Sequence, residues 1–216
     1  MKLPFTLEQF LEVFRQYNIA VWPMQIIILL LAFIAVYFSI RKTSYSDKLI
    51  TLILSFFWLW MGIVYHLIYF SGINKAAIIF GSLFIIQSLL FFYYGFIKKG
   101  LSFKFKANKF GITGMILLSF ALFIYPLVGY WLGHVYPASP TFGLPCPTTI
   151  FTFGILLFSS KRLSMVILFI PFLWSLIGFS AALKLGMKED ISLLFASVLS
   201  MVFIAVLNRS LKHQNA

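Results

Sequence analysis

The sequence predicts an all-α membrane protein. It reads as a bundle of about seven transmembrane helices, with an N-terminal amphipathic interfacial helix and a Pro/Gly-rich external segment that is either re-entrant or a surface loop. Three observations carry this. Hydrophobic residues fill 62% of 216 positions and charged residues only 10%, with a mean hydropathy of +1.00; a soluble domain is about half apolar and about a quarter charged. The apolar residues fall in long runs separated by short loops. The basic residues gather in alternate loops, as topogenic charges do. Seven spans of about 20 residues use roughly 140 positions, so residues 1–216 are read as a single integral membrane domain.

Residues 4–18, PFTLEQFLEVFRQYN, form the first element. Leu7, Phe10, Leu11, Phe14 and Tyr17 recur at helical spacing, with Glu8, Glu12 and Arg15 on other faces. Thr6 and Gln9 stand at capping-box spacing. This helix is expected to lie in the interface or cap the bundle without crossing it. The start, MKLPFTLEQF, lacks the basic region and continuous apolar core of a signal peptide.

Apolar run length places spans near 22–40, 49–70, 77–97, 111–131, 148–160, 163–183 and 191–207. Arg41, Lys42, Lys48, Lys98, Lys99, Lys104, Lys106, Lys109, Lys161, Arg162, Arg209 and Lys212 then all fall on one side. The other side holds Lys2, Arg15, Lys75, Lys184 and Lys188 with four of the five acidic residues. The positive-inside rule puts the N-terminus outside and the C-terminus in the cytoplasm. The net charge of +12 is therefore topogenic. It points to the lipid bilayer as partner and away from nucleic acid.

The fifth span, Thr148–Ser160, is too short for the bilayer core, at about 20 Å against about 30 Å. It follows GHVYPASPTFGLPCPTT (Gly133–Thr149), which holds four of the eight prolines, the one cysteine and no charge. Such a stretch is either a surface loop or a broken, re-entrant segment buried in protein. Pro147 is expected at the helix start.

The candidate functional residues converge near this segment. Trp58, Gly62 and His66 are spaced four apart on one face of the second span, beside Tyr65. Gly129 and Gly133 permit close helix approach at the end of the fourth, next to His134 and Tyr136. Cys146, Thr148 and Thr149 follow, with Thr152 one turn on. An ionisable group in a membrane marks a candidate site, so Trp58, Tyr65, His66, His134, Tyr136, Cys146, Thr148 and Thr149 form a candidate solute site. His66, His134 and Cys146 are also candidate ligands for a soft metal, and the two histidines for haem, although their spacing matches no closed motif. The competing reading is structural, with each polar group satisfied by a neighbouring helix. Asn74 reads as a cap of the third span, Gln87 as an interhelical hydrogen-bonding residue, and Pro171, Trp174, Ser175 and Gly178 as one face of a kinked sixth span.

Several enzyme classes are disfavoured. The predicted spans hold no Asp or Glu, which argues against paired-carboxylate chemistry. No GxSxG, HExxH, P-loop or dinucleotide fingerprint occurs, and no span carries a central lysine. The protein is expected not to be an enzyme.

The segments LPFTLEQFLEVF, YN-x3-WP at Tyr17 to Pro23, WLWMGIVYH and PTFGLPCPTTIFTFG resemble a bacterial multi-pass inner-membrane family catalogued only as a domain of unknown function. Some members are loosely labelled permeases. The resemblance implies a bacterial inner membrane and brings no catalytic residue, cofactor or ligand. The leading expectation is a channel or facilitator for a small neutral or weakly polar solute. The alternatives are a metal- or haem-binding membrane protein and a membrane accessory or scaffold protein. The sequence carries no signature of oligomeric state.

Overall fold

Helix follows apolar run almost one for one in the computed structural model, which describes residues 3–213. The first helix, α1 (Leu7–Ala20), starts at the anticipated capping box. The Gln9 amide donates to Thr6 Oγ1 at 3.3 Å and the Thr6 amide to Gln9 Oε1 at 2.9 Å. On its exposed face the Arg15 guanidinium holds the Glu12 carboxyl down at about 2. The chain then turns through 86° into α2 (Met24–Ile40). This bend lays α1 across the end of the bundle, as its amphipathic pattern requires. Lys2, assigned from sequence to the same side, lies outside the described residues.

Among the described residues, five helical units are long and apolar enough to cross a membrane. The first is α3 (Ser46–Trp60), which continues as a π-helix over Met61–Tyr69. The second is α4 (Ala77–Phe92), also ending in a π-helical turn, Tyr93–Ile97. The third joins α5 (Lys109–Ser119) and α6 (Tyr125–Trp131) through the π-turn Phe120–Ile124. The last two are α8 (Met165–Leu185) and α9 (Ile191–His213), the latter preceded by a turn at Lys188–Asp190. The bent pair α1–α2 gives a sixth unit. The remaining predicted span, the fifth, is α7 (Pro145–Leu156), whose 12 residues reach only about 18 Å.

Helix α7 begins at Pro145, three residues before the predicted start, so Pro147 lies inside its first turn. Every residue from Pro147 to Ser159 is buried. Its far end meets the loop after α4: the Lys104 amide donates to Phe158 O and the Ser160 amide to Ser102 O, both at 2.8 Å. That loop carries Lys98, Lys99, Lys104 and Lys106. The chain therefore passes from one end of the bundle to the other and does not turn back. The crossing is a short helix with non-helical backbone at both ends, tolerated because protein surrounds it.

Two glycine pairs bring helix backbones together. A Cβ at Gly62 would stand 2.9 Å from Gly81 O, packing the π-segment against α4. A Cβ at Gly154 would stand 2.8 Å from Leu118 Cγ and 3.0 Å from Gly114 O, packing α7 against α5. Outside the bundle the pattern inverts, and large apolar side chains such as Phe195, 73% exposed, face outward. That inversion suits a lipid surround.

The basic loops share one end. Asp47 accepts from the Lys42 ammonium and, at 2.7 Å, from the Phe103 amide. Asn208 near the end of α9 holds Leu163 through bonds of 2.8 and 2.9 Å. The opposite end carries α1, the Pro/Gly-rich segment and the turn into α9.

Candidate functional site

A cavity of about 340 Å³ opens at the α1 end. Helix α1 roofs it with Phe10 and Phe14, which pack on Phe70 and Tyr65 at ring separations of 5.7 and 6.1 Å. Phe80, Trp174 and Leu144 line its walls. Cys146, Tyr125 and Asp190 form a polar edge. Leu176 (44% exposed) and Ser180 also line it, so it opens on the outward flank of α8.

The electrostatics centre on Glu189 and Asp190, only 2% and 4% exposed. Glu189 Oε1 lies 2.5 Å from His134 Nδ1, while its Oε2 has no hydrogen-bond partner. Asp190 accepts a hydrogen bond from Tyr125. Among the described residues no lysine or arginine forms an ion pair with either carboxylate. Both acids sit where α9 begins, and a helix N-terminus favours a carboxylate by about 0.3–1 kcal/mol. Burying an ion costs several kcal/mol. The dipole alone does not offset that cost.

These acids correct the expectation that carboxylates stay away from the spans. They fall just before the predicted last span, and the tertiary fold turns them inward. Sequence reasoning also missed Tyr125. Adjacent acids at the mouth of an apolar run were the one available signal.

The predicted site residues divide into three groups. Tyr65 and Cys146 line the cavity, whereas His134 lies outside the lining, paired with Glu189 next to the lining residue Asp190. Trp58, Thr148, Thr149 and His66 are buried away from the lining. Trp58 Nε1 donates to Thr152 Oγ1 at 3.1 Å, Thr152 Oγ1 donates to Thr148 O at 2.8 Å, and Thr148 Oγ1 accepts from the Gly143 amide at 3.1 Å. Two of the three threonines thus brace the short helix; Thr149 Oγ1 has no partner. Tyr136 stands apart: it is 52% exposed, and its hydroxyl reaches only Asn18 O at 3.5 Å, because the loop from Leu132 to Tyr136 runs over the surface.

His66 is fully buried, with neither ring nitrogen hydrogen-bonded. Its ring lies 4.6 Å from Phe84 and 5.0 Å from Trp174, inside the π-helix. Trp58 stacks on the same Phe84 at 4.5 Å, so the two share the predicted face. His66 therefore sits directly behind the cavity wall formed by Tyr65, Phe80 and Trp174. His66, His134 and Cys146 form no ligand set. Among the described residues, no group of three or more His, Cys, Asp or Glu side chains is placed to hold a metal. The physical reason is that aromatic rings enclose His66 while Glu189 engages His134.

Gln87 makes the expected interhelical bond, its Nε2 reaching Ile167 O on α8 at 2.9 Å. Asn74 is not the cap of α4: Ala76 takes that position, and Asn74 Oδ1 instead accepts from the Ala76 amide at 3.1 Å in the preceding turn. Pro171, Trp174, Ser175 and Gly178 are buried together on α8. Gly129 borders Glu189 Oε1, whereas Gly133 is not a packing glycine: at φ +89° it takes the left-handed position that stops α6. Asn18 went unnoticed in the sequence. It pins the Pro/Gly-rich segment to α1 through Pro137 O at 2.7 Å and Ser139 O at 2.9 Å, and accepts from Thr141 at 2.8 Å.

The model of the family of unknown function DUF6064 matches residues 7–215. The chain belongs to that family. No curated protein and no solved structure matches it.

Proposed function

We propose that this membrane protein is a facilitator that binds a small, weakly polar solute in the cavity at its α1 end and passes it across the bilayer. The observation that carries the reading is the cavity itself: about 340 Å³, walled by apolar and aromatic side chains, with a short polar edge. Binding pockets for small molecules have this make-up. Helix α7, buried along its length, occupies the bundle below, which favours a carrier-like step over a permanently open pore. The basic loops favour an orientation with the cavity facing outward.

Flux of a panel of small alcohols, amines and amides into proteoliposomes tests the proposal. Wild-type protein should accelerate a subset of the panel, and Ala181→Trp, which fills the cavity from its wall, should abolish the acceleration. Rates equal to those of empty liposomes for every solute would sink it.

A further inference from the structure

We infer that the cavity selects a lipophilic cation, a small ammonium group on an apolar body, with Asp190 as its counter-charge; this rests on the reading of the cavity as a solute site. Among the described residues, the lining holds one carboxylate, Asp190, and no lysine, arginine or histidine. That carboxylate accepts from the Tyr125 hydroxyl, with the Cys146 thiol beside it, and both are neutral donors. The next residue, Glu189, is equally buried and carries an oxygen without any partner. The base beside this pair, His134, is committed to Glu189. A positive charge entering the cavity would offset this buried pair at Asp190, the member that lines it.

The rest of the wall fits the same occupant. Tyr65, Phe70, Phe80 and Trp174 present aromatic rings, which attract a desolvated cation. Trp174 is 8% exposed, and its Nε1 finds no hydrogen-bond partner among the protein groups. Its ring packs edge-on against Phe80 and Phe84 at 5.5 and 5.1 Å, which fixes it in the wall. The opening at Leu176 and Ser180 lies on the outward flank of a spanning helix, where an apolar body partitions from lipid. An anion would meet no positive side chain in the lining, and a neutral molecule would leave Asp190 uncompensated.

The test uses full-length protein in nanodiscs with phenylbutyltrimethylammonium and its uncharged counterpart phenylbutanol, followed by calorimetric titration. Wild type should bind the cation at least about tenfold more tightly. Asp190→Asn should bring the cation down to the affinity of the alcohol, and a size-exclusion profile matching wild type reports that the variant is folded. Ser180→Lys, at an exposed wall position, should weaken the cation alone and serves if Asp190→Asn does not fold. Equal affinities in wild type, or a cation preference that survives Asp190→Asn, overturns the assignment while the solute cavity stands. Binding of neither probe overturns the solute reading as well.

Discussion

His134 and Glu189 are the most consequential side-chain pair, because the carboxylate is fully buried and the imidazole is its one ion-pair partner among the described residues. Removing one member of a buried pair leaves an uncompensated charge, at a cost on the order of 3 kcal/mol. His134→Ala should therefore lower stability by roughly that amount, and adding Glu189→Gln should recover most of it. Thermal unfolding of the single and double variants in detergent checks both; additive losses would deny the coupling. His66 predicts the opposite sign. An imidazole with both nitrogens unpartnered carries a desolvation cost of about 1–3 kcal/mol. His66→Leu should accordingly leave stability unchanged or raised, and a lowered melting temperature would reveal a partner for the ring. If flux falls while stability does not, the ring serves the solute and not the fold.

Among the elements, α7 has the least freedom. It has no lipid-facing side, and Gly154 brings its backbone onto Gly114 of α5. Gly154→Val forces side chains into that contact and should cost about 1–3 kcal/mol or more. Gly72→Ala, with nothing within 4 Å of the new Cβ, should be tolerated. Comparing folded yield by size-exclusion chromatography separates these outcomes. The roof helix α1 depends on its capping box, so Thr6→Ala should weaken it by about 1 kcal/mol. Faster hydrogen exchange confined to α1 and the cavity wall would confirm this, and unchanged exchange would show that packing on Tyr65 and Phe70 suffices. The π-helical stretch at Met61–Tyr69 has no evident cause in its own residues. It coincides with the His66 cage, in keeping with the frequent placement of π-turns at functional sites.

At the scale of the molecule, the direction of each helix follows from α7. Because it traverses the bundle, α2, α3, α4, the α5–α6 unit, α7, α8 and α9 alternate in direction, and α1 and the end of α9 lie at opposite ends of the bundle. With the lysine-rich loops taken as cytoplasmic, a reporter fused after Ala216 should be active only in the cytoplasm, and a cysteine placed at Glu8 should react with an impermeant maleimide from outside. The reverse pattern would invert the topology and point the cavity inward.

Local quantities were legible in the residues themselves. Apolar run length pointed to the membrane helices, although α9 runs six residues past the predicted end of its span, and the Thr6–Gln9 spacing marked the start of α1. These follow from the chain alone because span length and flanking charge answer to the bilayer and not to a neighbouring helix. What surrounds each helix had no such signature. Lipid and protein interior are both apolar, so the uniformly hydrophobic α7 reads the same whether it faces acyl chains or, as here, only other helices. Nor does spacing show that Glu189 turns toward His134, that Asp190 meets Tyr125 or that Tyr136 points away. Those pairings join residues 55 to 118 positions apart and depend on helix packing and on how the Asn18-pinned segment folds over the bundle end, so the tertiary structure alone decided where the cavity and its carboxylate lie.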